Sequence, residues 1–307
     1  MEHAPVLLKE SIDALDVRPD GIYVDCTFGR GGHSKKILEQ LTTGRLIALD
    51  RDVEAIRASE PLSRIYGSRF TAVHSEFSRI KDVLSQLGIL SVDGVLFDLG
   101  VSSPQLDETE RGFSYNLDAP LDMRMDQTQS LTAYDVVNDS DYEQLKQILY
   151  DFGEERYAPL IAKAIVRARE QKAIERTSEL ARIIKKALPA HALREKQHPA
   201  KRSFQAIRIA VNSELHLLRE GLASAIDLLA PGGKIAVITF HSLEDRIVKN
   251  MFKEAGTGCI CPKSLPVCVC GRVPVLSVTG KPVTPGEEEI AGNPRSRSAR
   301  LRVAKKL

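Results

Sequence analysis

Apolar and polar positions along this chain follow two rhythms that take turns. Short apolar runs at 22–26, 45–49, 70–73 and 94–97 have the length and bounding turns of buried strands, the first opened by the turn Pro19-Asp20-Gly21. Between them, 33–41, 53–58 and 80–87 carry apolar residues at helical spacing. Strands separated by helices require right-handed crossovers, hence a parallel sheet with helices on both faces.

The alternation stops near residue 105. From there to 198 no run reads as a strand, whereas 140–152, 158–169 and 177–188 read as helices. The last has Thr177 and Ser178 as candidate caps and Pro189 as its stop. One long helical pattern over 205–229 then runs to Ala230-Pro231-Gly232-Gly233, followed by a strand at 234–240 and a helix at 243–252. Two closing strands are predicted at 273–278 and 300–304. In the second, Leu301 and Val303 alternate with Arg300 and Arg302, as on a strand with one wet face. The predicted fold class is α/β: a doubly wound, Rossmann-like core from 1–105 and 200–307, interrupted by a helical insertion domain at 106–199.

Charge changes this picture only locally. The 307 residues carry 43 Lys and Arg against 41 Asp and Glu, a net charge of +2, which neither demands nor excludes a nucleic-acid partner. Two segments are basic, however: 163–208, and 295–306, which has no acid at all. Solvated helix faces are the ordinary reading of such runs. Two of them flanking one crevice favour phosphate contacts instead, which supply affinity without sequence information. The first ten residues are polar and mixed, unlike a secretory leader, and no apolar stretch approaches the roughly eighteen residues of a membrane span. A cytoplasmic setting follows, in which the five Cys are not expected to form disulfides. Oligomeric state is not legible.

Chemistry concentrates where strands end. Asp25-Cys26-Thr27-Phe28-Gly29-Arg30-Gly31-Gly32-His33 joins the first strand to the first helix, and its glycines permit a tight turn and close approach of a ligand. Asp50 closes the next strand, where a carboxylate can accept both hydroxyls of an adenosine ribose. A nicotinamide dinucleotide would call for a third Gly where Ser34 stands, and the Gly-Lys-Ser/Thr of a P-loop is absent. The Asp-x-x-x-Gly-x-Gly pattern resembles motif I of S-adenosylmethionine-dependent methyltransferases, whose cofactor is a sulfonium cation that acids favour. The fourth strand ends on Asp98, and the stretch after it reaches Ser103-Pro104-Gln105. Amino methyltransferases place an Asp/Asn/Ser-Pro-Pro-aromatic motif there to hold the target amine. This chain has the acid without the paired prolines, and a turn-forming role for Asp98 is the plainer alternative.

Further blocks carry a resemblance along nearly the whole chain. They are His3-x-Pro-Val-Leu-Leu8, Asp25-x-Thr-Phe-Gly-Arg-Gly-Gly-His-Ser34, Asp98-Leu-Gly-Val-Ser-Ser-Pro-Gln-Leu-Asp107, Arg111-Gly-Phe-Ser114 and Pro120-Leu-Asp-Met-Arg-Met125. Phe204-Gln-Ala-x-Arg-Ile-Ala-Val-Asn212, Phe240-His-Ser-Leu-Glu-Asp-Arg246 and the tail from Asn293-Pro-Arg to Arg302 complete the set. Together they resemble the bacterial small-subunit ribosomal RNA (cytosine-N4)-methyltransferase family, of the MraW or RsmH type. The resemblance implies S-adenosylmethionine as cofactor, a methyltransferase core with a helical insertion, and N4-methylation of a cytosine in the decoding region of 16S rRNA. The implied partner is small-subunit rRNA or the 30S particle.

Carried over by position, the cofactor contacts fall on Gly31, Gly32, His33, Asp50, Phe77, Asp98 and Gln105, and the catalytic candidates are Asp98 and His241. Phe77 reads equally as core, and His33 as a helix start. His241 either relays a proton or simply opens a helix with Ser242 as cap and Glu244 and Asp245 on the dipole. Residues 111–125 are expected to cover the target base. Arg30 and Glu76 receive no role. No metal is expected. Cys259, Cys261, Cys268 and Cys270 read as free thiols in a loop ahead of a tetrahedral zinc site, because Cys-x-Cys is tighter than the common Cys-x-x-Cys. The rival functions are another amino methyltransferase acting on adenine or DNA, and a non-catalytic RNA-binding assembly factor.

Overall fold

The computed structural model describes residues 5–102, 105–106, 108–195, 197–262 and 267–307; His3, Ser103, Pro104 and Asp107 of the quoted motifs lie outside them. The chain forms two compact units, one from 1–100 with 215–307 and one from 101–214.

The first unit opens with helix α1 (Leu8–Leu15), an element absent from those expected of the sequence. Leu7 enters it at a φ of 50°, a left-handed conformation, with its side chain fully buried and its N–H donating to Glu289 Oε1 at 2.8 Å. Then come β1 (Ile22–Asp25), α2 (Gly32–Gln40), β2 (Arg45–Asp50), α3 (Val53–Ala58), α4 (Glu60–Tyr66), β3 (Phe70–His74), α5 (Ile80–Gln86) and β4 (Val92–Asp98).

The second unit is helical: α6 (Ala133–Asp139), α7 (Tyr142–Gly153), α8 (Ala158–Arg169), α9 (Thr177–Ala187) and α10 (Lys201–Asn212). Its core gathers Leu145, Leu149, Ile161, Ile165, Leu180, Ile184, Phe204 and Ile207. Helix α10 is part of this core, through Phe204 and Ile207. Thr132 and Asp141 cap α6 and α7, each in a reciprocal box with Asp135 and Gln144. Thr177 and Ser178 do not cap α9. Their hydroxyls donate to the Leu117 carbonyl and the Asp118 carboxylate instead.

The single long helix predicted over 205–229 is two helices, α10 and α11 (Glu214–Leu228), broken at Ser213, which sits at a φ of 50°. Apolar periodicity continues across such a break, so the pattern does not reveal it. The remaining elements are β5 (Leu229–Thr239), α12 (Ser242–Ala255), β6 (Leu276–Val278), α13 (Glu287–Gly292) and β7 (Arg300–Lys306).

Sheet order is β3-β2-β1-β4-β5-β7-β6, parallel from β3 to β5, with β7 antiparallel to both neighbours. This is a doubly wound, Rossmann-like sheet with an antiparallel strand added beside β5. Alternation along each strand deals side chains to two cores. Ile47, Leu49, Val95, Phe97, Ile235 and Val237 meet α5, α11 and α12 on one face. Leu46, Ala48, Leu96, Ala236 and Ile238 meet α1 and α2 on the other. Sheet order reverses direction between β1 and β4, and ligands of such sheets bind beyond the strand ends at that point. Among the described residues, no helix is long and apolar enough to cross a membrane.

Candidate active site

Register brings the acids together. Asp25 and Asp98 end the adjacent strands β1 and β4, and Asp50 ends β2 on the far side of β1. The backbone N–H of Asp98 donates to Thr27 Oγ1 at 2.6 Å, tying the two strand ends across the reversal point. Asp25 is buried and accepts from Ser34 Oγ at 2.7 Å and Thr27 N–H at 3.1 Å. Burial pushes its carboxyl up to about 6 against those bonds, with the Asp50 charge adding to the rise. Asp50 rises to about 6 for the same leading reason, although the N–H groups of Gly29 and Asp52 donate to its two oxygens, each at 2.8 Å. Each oxygen keeps a lone pair for another donor.

Asp98 is the least satisfied of the three. Its Oδ1 is buried with no hydrogen-bond partner, and its Oδ2 lies 3.6 Å from His33 Nδ1. Burial, then the Asp25 and Glu244 charges, raise its carboxyl well above the usual carboxylate range. His33 gives no cationic relief, because burial lowers its imidazole to about 4 and leaves it neutral at pH 7, with Nε2 unpartnered. No Lys or Arg pairs with Asp25 or Asp98 among the described residues. Buried acids without a cation, beside an orphaned carboxylate oxygen, suit a small positively charged ligand such as a sulfonium.

The glycines divide by role. A Cβ on Gly31, at a φ of 74°, would meet the Phe28 ring at 2.6 Å, and one on Gly32 would meet Pro5 at 2.1 Å. The space beside those two is filled by the protein itself. Gly29, at a φ of 56°, has nothing nearer than 4.0 Å and is the open one. Phe77 stands edge-on to Phe97 with ring centroids 5.5 Å apart, and a Cβ on Gly221 would meet its ring at 2.7 Å, so it is a half-buried packing residue. Gln105 belongs to the second unit, where it is buried and its Oε1 accepts from Ser102 N–H at 3.0 Å.

His241 is the N-cap of α12, the place given to Ser242 on sequence grounds. Its Nδ1 accepts from Glu244 N–H at 3.4 Å, while Glu244 Oε2 accepts from the N–H groups of Phe240 and His241. Its Nε2 is 3.1 Å from Glu244 Oε1, off the line of a good hydrogen bond. Thr27, Ser34 and Glu244 stand within the quoted motifs, but sequence reading gives none of them a place beside these acids. The Ser34 hydroxyl is the partner of Asp25.

In the second unit, two motifs of the resemblance hold each other. Asn212 accepts from Met125 N–H at 2.8 Å and donates to the Met123 carbonyl at 2.7 Å. Arg111, almost fully buried, donates to the carbonyls of Arg124 and Met125. The charged pattern of 111–125 therefore builds an ordered loop.

The MraW methylase family model matches residues 1–307. Ribosomal RNA small subunit methyltransferase H of Brevibacillus brevis is 53% identical over 307 residues, covering 99% of this chain and 98% of that one. The protein of the same name from Symbiobacterium thermophilum is 54% identical, covering 99% and 96%. A solved rRNA methylase from Streptococcus thermophilus is 10% identical with a TM-score of 0.44 over 100% of this chain and 99% of that one, a likeness too slight to argue from. A motif set spread over the whole length, set on this sheet and matched end to end, has one explanation: the chain belongs to the MraW methylase family.

Proposed function

We propose that this chain methylates N4 of a cytosine in the decoding region of small-subunit rRNA. The class of reaction follows from the family, a methylase family, and the small-subunit rRNA substrate from relatives named for it. S-adenosylmethionine is the methyl donor, and when bound it supplies an electrophilic methyl group on a sulfonium. Gly29, Asp50 and the exposed part of Phe77 would hold its adenosine, with Asp25 and Asp98 favouring its positive charge.

The observation that carries the reading is the unpartnered Oδ1 of Asp98 at the strand end. The amine of cytosine is a poor nucleophile because its lone pair is delocalised into the ring. A carboxylate oxygen accepting from its N–H holds the nitrogen in line and favours a tetrahedral geometry. Methylation leaves the nitrogen with one proton too many. Asp98 takes it, because burial makes this carboxylate a stronger base than an exposed one. His241, engaged with Glu244 through the cap, positions the strand end. The target base must leave its stack to reach Asp98.

The test is direct. The chain is incubated with isotopically labelled cofactor and either free small-subunit RNA or 30S particles, and the RNA is digested to nucleosides for mass spectrometry. Label in N4-methylcytidine supports the reading. Label on adenine N6, label on DNA, or no label on either form of the RNA overturns it.

A further inference from the structure

The segment between α12 and β6 has no core of its own. Among described residues 257–262 and 267–275 none is buried, and Val267, Val269 and Val273 are each at least 70% exposed. The segment is closed at its base, where Val275 N–H donates to the Ala255 carbonyl and Arg272 Nη2 to the Glu254 carbonyl, both at 2.8 Å. Beyond that base its described residues converge through sulfur. The Sγ atoms of Cys259, Cys261, Cys268 and Cys270 all lie within 4.8 Å of one another. Cys268 and Cys270 are 3.6 Å apart, and Cys270 and Cys259 3.8 Å.

Those separations discriminate. A disulfide places its sulfurs about 2.05 Å apart, so none of these pairs is bonded. A tetrahedral zinc with Zn–S of about 2.3 Å spaces its four sulfurs about 3.8 Å apart. Thiolates around an iron–sulfur cluster stand farther apart, because they enclose several metal atoms. The Val269 N–H also points at Cys261 Sγ, at 3.4 Å, as backbone donors do around metal-bound thiolates.

We propose that Cys259, Cys261, Cys268 and Cys270 bind one zinc ion as four thiolates, releasing their thiol protons to solvent, and that this ion is what orders the described residues 257–262 and 267–275. The preference for free thiols drawn from Cys-x-Cys spacing gives way here to the convergence of two such pairs across a loop. The site is structural: four protein ligands leave no open position for substrate.

The full-length chain, purified without chelator, should carry about one zinc and negligible iron. Exchange into cobalt(II) should give the thiolate charge-transfer bands and intense visible bands of a tetrahedral four-sulfur site. Alkylation read by mass spectrometry should label these four Cys roughly tenfold or more faster after chelation than before it. The double variant Cys259→Ser, Cys261→Ser should lose the metal. Should that variant fail to fold, the cobalt spectrum and the alkylation rates of the unaltered chain still decide the matter. A chain that stays metal-free in excess zinc with all four thiols freely reactive overturns the proposal. So does a mass deficit from disulfides, or an iron-cluster absorption spectrum.

Discussion

Two regions of the first unit collect groups that repel their own kind, and they are built in opposite ways. The carboxyls of Asp25 and Asp98 sit inside a finished frame, fixed by strand register, by Thr27 and Ser34, and by apolar layers on both faces of the sheet. The sulfurs of Cys259, Cys261, Cys268 and Cys270 sit on a segment tied at its base, none of whose described residues is buried. In the first region the fold sets the geometry and strains the charges, so a cation would relieve an arrangement that exists without it. In the second, an ion would create the arrangement. The lesson is that clustered ligands have different meanings according to whether packing already holds them.

The sharpest way to break this contrast is at Asp98. Asp98→Asn keeps the shape and removes the charge, so turnover should fall by on the order of 10²–10⁴. The cofactor-free chain should melt no lower than the parent, since a buried unpartnered carboxyl is lost. Rates with labelled cofactor beside thermal melts decide. A large fall in melting temperature would make Asp98 part of the frame. Next is Gly31→Val, whose Cβ meets Phe28 at a left-handed φ. Cofactor affinity by calorimetry should drop at least about tenfold, or 1.4 kcal/mol, as the turn shifts. Unchanged affinity would detach the turn from the cofactor.

Acidity probes the same frame more gently. Burial pushes Asp25, one of the two acids assigned to the positive charge, up to about 6, and a cation prefers its ionised form. Affinity for S-adenosylmethionine should therefore hold above that pH and weaken as pH falls through it, by about tenfold at pH 5. S-adenosylhomocysteine, which lacks the positive charge, should respond less, and equal responses would deny the acids a role. Smaller still is the cross-effect. Chelation should expose 257–275 to proteases while moving cofactor affinity by less than about twofold, since the sheet does not depend on the loop. A larger loss would join the two regions into one. The least effect belongs to the tail. Arg297→Ala should lower the salt slope of RNA binding by about one. Arg302, half-buried and held by Asp245 at 2.7 Å, is instead a structural contact whose loss should lower stability in denaturant melts and leave that slope unchanged.

Much of the frame was legible in the sequence because apolar runs bounded by turns report strands, and glycine and acid at strand ends report the crevice. What stayed hidden was conformational or collective. The left-handed residues Leu7 and Ser213 fix where α1 begins and where α10 stops, yet neither is a residue type that announces such a backbone. Thr177, a candidate cap, bonds to the Leu117 carbonyl instead, and His241 takes the capping place that spacing gives to Ser242, because capping depends on which side chain is free rather than on which is nearest. The unpartnered oxygen of Asp98 depends on neighbours distant along the chain, and no local pattern records it; the four Cys are plain in the sequence, but their convergence is not.

The divided first unit has a consequence for how the molecule is made. Strands β1 to β4 leave the ribosome first, but β5, which covers the open side of β4, follows only after residues 101–214 have been synthesised. At about 5–20 residues per second, the half-sheet waits on the order of ten seconds with a hydrogen-bonding edge uncovered. The helical unit, being continuous in sequence, can fold during that wait. The nascent chain is thus most exposed to aggregation while its insertion is emerging, and a stall there would endanger the catalytic frame before any of its second half exists.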